Sequence, residues 1–134
     1  MNPTFWGPQG WIFLHSVTLH YPKNPSDQDK EMYFNFFKSL EKVLPCEKCA
    51  YNYSNNLQKL PLEPALENRD TLVRWLIAVH NEVNKEAGKP SFTYEQVIDD
   101  YTYKMKTLDS DPTMVYKIII GALLLIILFK FIKM

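Results

Sequence analysis

Apolar side chains recur every three or four residues in five segments of this chain, and that spacing is the strongest constraint on its fold. The clearest segment repeats through Leu72, Trp75, Leu76, Val79 and Val83. Such positions lie on one face of an α-helix, and Gly88 follows as a typical C-terminal stop. The spacing favours helices over strands, so the sequence predicts a small all-α bundle.

Four further segments repeat with the same period. The first helix is predicted from about Pro8 to Tyr21, and the second from Ser26, which forms a capping-box signature with Asp29. The third helix opens at Pro45-Cys46 and the fifth at Thr93. Prolines mark the connectors or first turns, as helix punctuation predicts: Pro22, Pro25, Pro61, Pro64 and Pro90.

A different pattern follows residue 112. The apolar run IIIGALLLIILF lies between Lys117 and Lys130, and with snorkelling lysines it approaches the roughly 20 residues that cross a bilayer. A buried core helix is the alternative, but uniform apolarity favours a membrane anchor. We expect residues 1–112 to form the helical domain and residues 113–134 a C-terminal transmembrane helix. We expect the domain on the cytosolic face, with an oxidising lumen as the open alternative.

Composition argues against two classes of protein. The chain has 15 Lys+Arg and 15 Asp+Glu, and 14% of its residues are aromatic. A neutral chain rich in rings is atypical of nucleic-acid-binding proteins and of disordered ones. Four Gly leave little room for a glycine-rich nucleotide loop, and two Cys do not make a disulfide-dense scaffold. We therefore expect a folded protein without a nucleic-acid partner.

The two cysteines stand at the predicted start of the third helix, in LPCEKC. Cys46 and Cys49 can close a disulfide there, and a helix N-terminus favours the reactive thiolate. A zinc site would need two more ligands from the three histidines, and c-type haem attachment needs His where Ala50 stands. A thioredoxin-like site needs a preceding strand. A redox-active pair on a helical bundle is favoured, with zinc as the remaining alternative.

Polar and aromatic side chains gather in two further places. His80 and Asn84 lie one turn apart in HNEVN, and Trp6, Trp11 and His15 form a second group near the N-terminus. Rings, imidazoles, amides and a lysine together suit a flat heteroaromatic ligand and its phosphates. Each such residue by itself is more often a core or edge residue. The interpretation as a ligand site therefore depends on finding all of them together.

A family resemblance rests on three motifs that occur in order: WGPQGWIFLH, LPCEKCAYNY and WLIAVHNEVNKEAGKPSF. Over about residues 6–101 the chain resembles the Erv/ALR family of flavin-linked sulfhydryl oxidases. The short form with an apolar C-terminal segment most resembles versions from large DNA viruses. The resemblance implies a four-helix bundle with a short fifth helix, a homodimer, and noncovalently bound FAD.

The resemblance also assigns the site. Cys46 would meet the incoming thiol and Cys49 would face the flavin. The cofactor would be lined from the first helix by Trp6, Gly7, Trp11 and His15, and from the fourth helix by His80, Asn81, Val83, Asn84 and Lys85. Three further positions are Lys89 as a phosphate contact, Tyr53 beside the flavin, and Tyr101 where the family usually has Trp. No metal is expected.

The implied reaction passes electrons from a client dithiol through Cys46 and Cys49 to FAD and then to O2, which gives H2O2. Many family members carry a second, shuttle cysteine pair, and this sequence has no further Cys. We therefore expect a small thioredoxin-like or CxxC-bearing partner protein to deliver electrons directly to Cys46. The family also often has a structural cysteine pair where Ile77 and Tyr94 stand, so we expect apolar contact to replace that tether.

A second hypothesis belongs to a different class. It is a membrane-anchored helical module that uses the CxxC for metal binding or redox-sensitive docking, without flavin. Because the cytosol is reducing, a structural disulfide there would be unusual, whereas a catalytic one is expected to cycle. This favours the oxidase, located in the host cytoplasm or at a virion membrane if the chain is viral.

Overall fold

The structure is a computed structural model that describes residues 1–109 and 113–132. Its helices are α1 (Pro3–His20), α2 (Asp27–Val43), α3 (Glu47–Lys59), α4 (Arg69–Glu86), α5 (Tyr94–Asp109) and α6 (Thr113–Ile132). A short 3₁₀ helix, Glu63–Glu67, precedes α4. Within the described residues there is no strand, so the prediction of an all-α fold is confirmed.

The chain divides into two compact units, of which the first is Met1–Tyr94 and the second begins at Glu95. The predicted domain boundary after residue 112 falls at residues 110–112, outside the described part of the chain, and stays a prediction. The fifth helix, expected to be short, runs for 16 residues. No Pro or Gly interrupts the sequence of α5, so nothing in it stops the helix early.

The last helix, α6, contains the apolar run that follows Lys117. Its Ile118 and Leu124 side chains are more than half exposed. Across residues 1–109 and 113–132, none of the helices is both long enough and apolar enough to cross a membrane. The structure therefore does not support the predicted transmembrane helix.

Helix α1 begins earlier than predicted. The Asn2 side chain accepts a hydrogen bond from the Thr4 N–H at 3.0 Å, and Pro3 occupies the first helical position. Pro8, predicted to open the helix, lies inside it. Pro8 is the sixth residue of α1, so it removes one backbone hydrogen bond to the first turn without ending the helix. The capping by Asn2 therefore decides where α1 begins.

Two other helices begin at capping boxes. Ser26 and Asp29 form the predicted one, in which the Ser26 N–H donates to the Asp29 carboxylate at 2.8 Å. Asn68 and Thr71 form a second, unpredicted capping box at the start of α4. At the other end of α4, Gly88 has a φ of 67°. This left-handed conformation is the one that glycine adopts without strain, so Gly88 ends the helix as predicted.

The helices of the first unit surround one core. Helix α1 packs on α4, α4 packs on α3, α3 packs on α2, and the 3₁₀ helix contacts both α2 and α4. Phe37, Leu72 and Leu76 are completely buried in this core. Two large aromatic side chains donate hydrogen bonds to backbone carbonyls. Tyr21 donates to the Leu66 carbonyl at 3.0 Å and Trp75 to the Leu60 carbonyl at 2.9 Å. The core therefore sets the register of the helices that carry the site.

The first prediction concerns Gly88. Replacing it with Ala places a Cβ in a left-handed conformation and is expected to lower the free energy of unfolding by about 1–2 kcal/mol. Gly88→Asn is the matched control, because Asn tolerates this conformation better. Urea unfolding of the purified protein measures both. Equal stability of the two variants would contradict the role given to the backbone at Gly88.

Candidate active site

Cys46 and Cys49 form a disulfide at the N-terminus of α3, with their Cα atoms 5.1 Å apart. Cys46 is the N-cap residue of the helix, and its Sγ accepts a hydrogen bond from the Cys49 N–H at 3.2 Å. Both residues are half-buried. The positive end of the helix dipole stabilises negative charge at this position. When the disulfide accepts electrons, the thiolate that forms is therefore stabilised.

An open groove of about 440 Å³ lies beside Cys46. Leu44, Pro45 and Cys46 line it together with Met1 and Glu47. Cys46 lines this groove and Cys49 does not. A thiol that enters the groove therefore approaches Cys46. The groove thus offers a route to Cys46. That Cys46 receives the incoming thiol stays a prediction.

Three predicted cofactor residues lie together between α1 and α4. The Trp11 ring stacks on the His80 ring with centroids 3.8 Å apart and an interplanar angle of 7°. His15 Nε2 lies 3.1 Å from His80 Nδ1, within hydrogen-bonding distance. The structure thus brings Trp11, His15 and His80 into one cluster from positions 65 residues apart in the chain. Their role towards a cofactor stays a prediction.

Both imidazoles are held neutral. Burial, and to a smaller extent the neighbouring His80, lowers the pKa of His15 to about 4. Burial also lowers the pKa of His80 to about 4, with a second contribution from the positive charge of Lys89. Because each ring is neutral at physiological pH, one nitrogen of the pair donates and the other accepts. The cluster offers a flat, uncharged surface.

Asn81 ties down the loop between α4 and α5. Its Nδ2 donates to the Phe92 carbonyl at 2.9 Å, and its Oδ1 accepts from the Phe92 N–H at 2.8 Å. The Phe92 ring then meets His80 edge-on at 5.6 Å, and Arg74 lies 3.9 Å above the Tyr94 ring. The expectation that apolar contact replaces a disulfide tether was incomplete, because a paired amide and a cation–π contact hold the loop.

The remaining α4 residues divide by exposure. Asn84 is buried, and its carbonyl accepts from the Lys89 N–H at 2.8 Å, which folds the chain back at the helix end. Lys85 and Lys89 are exposed, and Val83 is half-buried. On α1, Gly7 has open space where a Cβ would be. The two lysines are therefore placed where solvent-facing phosphates can be bound.

The two remaining predicted residues are on other helices, Tyr53 on α3 and Tyr101 on α5. Tyr53 belongs to the buried core, where its hydroxyl donates to the Phe37 carbonyl at 3.0 Å. Burial and the nearby Glu41 raise its pKa, so it stays protonated. Tyr101 belongs to the second unit. Its pKa is raised to about 12, first by burial and then by Asp100.

Several buried polar atoms have no hydrogen-bond partner among the described residues: Trp6 Nε1, Asn84 Nδ2, and both Nδ2 and Oδ1 of Asn56. Unpaired buried groups destabilise a folded protein, and a bound ligand or water commonly supplies their partner. FAD combines flat rings, polar ring edges and a pyrophosphate. The stacked rings, the unpaired amides and the exposed lysines of this domain therefore fit the cofactor that the resemblance implies.

Sequence reasoning missed Asn56, Phe92 and Arg74. Asn56 and Arg74 stand on helices in positions that periodicity treats as ordinary core or surface, so no sequence signal marked them. Phe92 could have been predicted, because it lies in the GKPSF motif.

Within residues 1–109 and 113–132, no group of three or more His, Cys, Asp or Glu side chains is placed to hold a metal ion.

The second prediction follows from the neutral histidine pair. Between about pH 6.5 and pH 4 the unfolded chain protonates both histidines while the folded chain keeps them neutral. The unfolded state then binds more protons, so the free energy of unfolding decreases as the pH falls through this window. Urea unfolding at pH 7 and pH 5 measures the loss.

The double variant His15→Gln/His80→Gln is expected to lose less stability than the wild type between these two pH values. His20→Gln, an exposed position, is the control and is expected to keep the wild-type loss. A double variant with the same pH dependence as the wild type would show that the buried pair does not titrate as described.

Comparison with known proteins gives the family. The Erv1/Alr family matches residues 8–103. A probable FAD-linked sulfhydryl oxidase of Acanthamoeba polyphaga mimivirus is 47% identical over 74% of this chain and 70% of its own length. The mitochondrial FAD-linked sulfhydryl oxidase of Saccharomyces cerevisiae is 36% identical over 64% of this chain. The matched part covers only 44% of that relative's length.

A solved structure agrees with these relatives. The crystal structure of the FAD-binding domain of Erv1 from Saccharomyces cerevisiae matches with a TM-score of 0.65 and 34% identity, over 69% of this chain and 87% of that one. The family match covers the CxxC, the first-helix motif from Pro8 onward and the HNEVN motif. This chain therefore belongs to the Erv1/Alr family.

Proposed function

We propose that this protein is an FAD-linked sulfhydryl oxidase that forms disulfides in client proteins and passes the electrons to O2, giving H2O2. The observation that carries the proposal is the Cys46–Cys49 disulfide at the N-terminus of α3. It occurs in a chain whose relatives are named FAD-linked sulfhydryl oxidases. Its helical domain also resembles an FAD-binding domain.

The residues that would hold FAD lie mainly on α1 and α4. Trp11, His15 and His80 supply the flat neutral surface, Asn84 an unpaired amide, and Lys85 and Lys89 the positive charge for phosphates. Trp6, Gly7 and Val83 complete the α1 and α4 lining, while Asn81 acts by holding the Phe92 loop. When bound, FAD supplies the two-electron chemistry that connects a dithiol to O2.

The protein's own sulfurs carry out the first half of the reaction. A client thiolate attacks Cys46 Sγ from the groove, the Cys46–Cys49 bond breaks, and Cys49 leaves as a thiolate stabilised at the helix N-terminus. The second client thiol then loses its proton and displaces Cys46. The client gains one disulfide and loses two protons and two electrons, while Cys46 and Cys49 are reduced.

The third prediction tests this chemistry with the full chain. The wild-type protein should purify yellow, with bound FAD, and consume O2 when dithiothreitol is added. Cys46→Ser and Cys49→Ser should each lose this turnover by at least a hundredfold while retaining FAD, because neither sulfur is needed for the α1–α4 cluster. A colourless wild-type protein would reject the oxidase and favour a docking module without flavin.

We propose that the client is a small thioredoxin-like or CxxC-bearing protein that reacts directly with Cys46. The groove at Cys46 and the presence of only two cysteines in the sequence support this. In the Cys49→Ser variant, Cys46 is the one remaining thiol of the chain, so a trapped mixed disulfide reports on it alone. Failure to trap any client in cells that express this variant would contradict the direct delivery of electrons.

We propose that the oxidase is a homodimer that buries the exposed apolar side of α1. Phe5, Ile12 and Phe13 are exposed by 76%, 48% and 58%, which is unusual for a free helix surface. This α1 surface is made of side chains that the core does not use, so a second copy of the chain is the partner that we propose for it.

The fourth prediction tests the dimer. Ile12→Glu/Phe13→Glu should shift the protein from dimer to monomer in analytical ultracentrifugation, because it places charges in an apolar contact. Val43→Glu, at a site 63% exposed on α2, is the matched control and should leave the dimer intact. A wild-type protein that sediments as a monomer at micromolar concentration would contradict the proposed dimer.

We propose a membrane-associated location with residues 1–112 on the cytosolic face, in the cytoplasm of a host cell or at a virion membrane. The support is the apolar run between Lys117 and Lys130. Alkaline carbonate extraction of membranes, followed by protease treatment of intact vesicles, measures both parts. Recovery of the protein in the soluble fraction would reject the location.

A further inference from the structure

Asn56 is a completely buried amide on α3, with 0% of its surface exposed. Neither its Nδ2 nor its Oδ1 has a hydrogen-bond partner among the described residues. By contrast, the carboxamides of Asn68 and Asn81 are bonded to backbone groups. A buried amide without partners destabilises the fold. Asn56 therefore needs a polar partner beyond those that residues 1–109 and 113–132 supply.

Asn56 lies on the side of α3 that carries the reactive cysteines. Cys49, Tyr53 and Asn56 are spaced by four and three residues, so they share one face of the helix. Tyr53 on this face is buried in the core. Asn56 is therefore an inward-facing residue two turns beyond Cys49.

Two contacts place Asn56 relative to α4. Asn52 Nδ2 donates to Glu86 Oε2 at 2.7 Å, and Trp75 Nε1 donates to the Leu60 carbonyl at 2.9 Å. Asn56 lies between Asn52 and Leu60 on α3, so it is level with the part of α4 between Trp75 and Glu86. That part carries His80 and Asn84, and Asn84 Nδ2 is the other buried amide atom of these helices without a partner.

We propose that Asn56 is a cofactor-contacting residue whose carboxamide pairs with the polar edge of the flavin ring. This inference rests on the proposed function. The pyrimidine half of a flavin carries one N–H between two carbonyl oxygens, so a single carboxamide can donate and accept there at the same time. An amide can do this while remaining neutral, which suits a completely buried position. Asn56 thereby helps to orient the ring towards Cys49.

The test compares Asn56→Leu with the wild type as full chains, each with and without FAD. Leu removes both hydrogen bonds and keeps a similar volume. We titrate each apoprotein with FAD and follow the FAD fluorescence. Asn56→Leu is expected to bind FAD at least about tenfold more weakly than the wild type. The melting temperature of the apoprotein should stay the same or rise, while that of the FAD complex should fall. Asn55→Leu, at the neighbouring half-buried position, is the control and should bind FAD as the wild type does.

Unchanged FAD affinity in Asn56→Leu would overturn the proposal. An equal fall in the melting temperatures of the apoprotein and the complex would also overturn it, because it would assign a buried water to Asn56. If the Leu variant does not fold, the smaller Asn56→Ala decides. Ala neither donates nor accepts a side-chain hydrogen bond, so this variant should bind FAD more weakly and shift its visible absorption; wild-type binding and spectrum would reject the inference.

The two proposals fail in different ways. A wild-type protein that binds no FAD rejects the oxidase itself. A wild-type protein that binds FAD and oxidises dithiothreitol, together with Asn56 variants of unchanged affinity and spectrum, rejects only the role of Asn56.

Discussion

The proposed cofactor site depends on one partly buried contact, the approach of His15 Nε2 to His80 Nδ1 at 3.1 Å. It joins α1 to α4, and the Trp11 ring stacks on it. Two imidazoles can share this contact only while at least one ring is neutral, and burial keeps both neutral by lowering each pKa to about 4. The interior of the site is therefore flat and uncharged, while the positive charges of Lys85 and Lys89 stay at the exposed end of α4.

The reactive sulfurs depend on a second constraint, the N-terminus of α3. Cys46 serves as the N-cap of the helix and as one half of the disulfide. Its sulfur accepts the Cys49 N–H, so it replaces the Ser, Thr, Asp or Asn that usually caps a helix. After reduction, a thiolate there interacts more strongly with the helix dipole than the disulfide does. The same local geometry therefore holds the helix start and favours the acceptance of electrons.

Much of the fold follows from local patterns, and the errors have local causes too. The capping box at Ser26 and the stop at Gly88 depend on nearest neighbours, and both are confirmed. The prediction from Pro8 starts α1 five residues late, because the cap at Asn2 extends the helix back to Pro3. The length of α5 was underestimated because it came from the family resemblance and not from its own residues.

The helices, the redox pair and the family follow from local patterns in the sequence, because period, capping and motif spacing are properties of neighbouring residues. Which of those residues meet depends on how the helices pack. Only packing could show that His15 lies against His80, that Asn81 holds Phe92, and that Tyr53 is bonded within the core. It also left Asn56 buried and unpaired, since burial and hydrogen bonding depend on residues far apart in the chain.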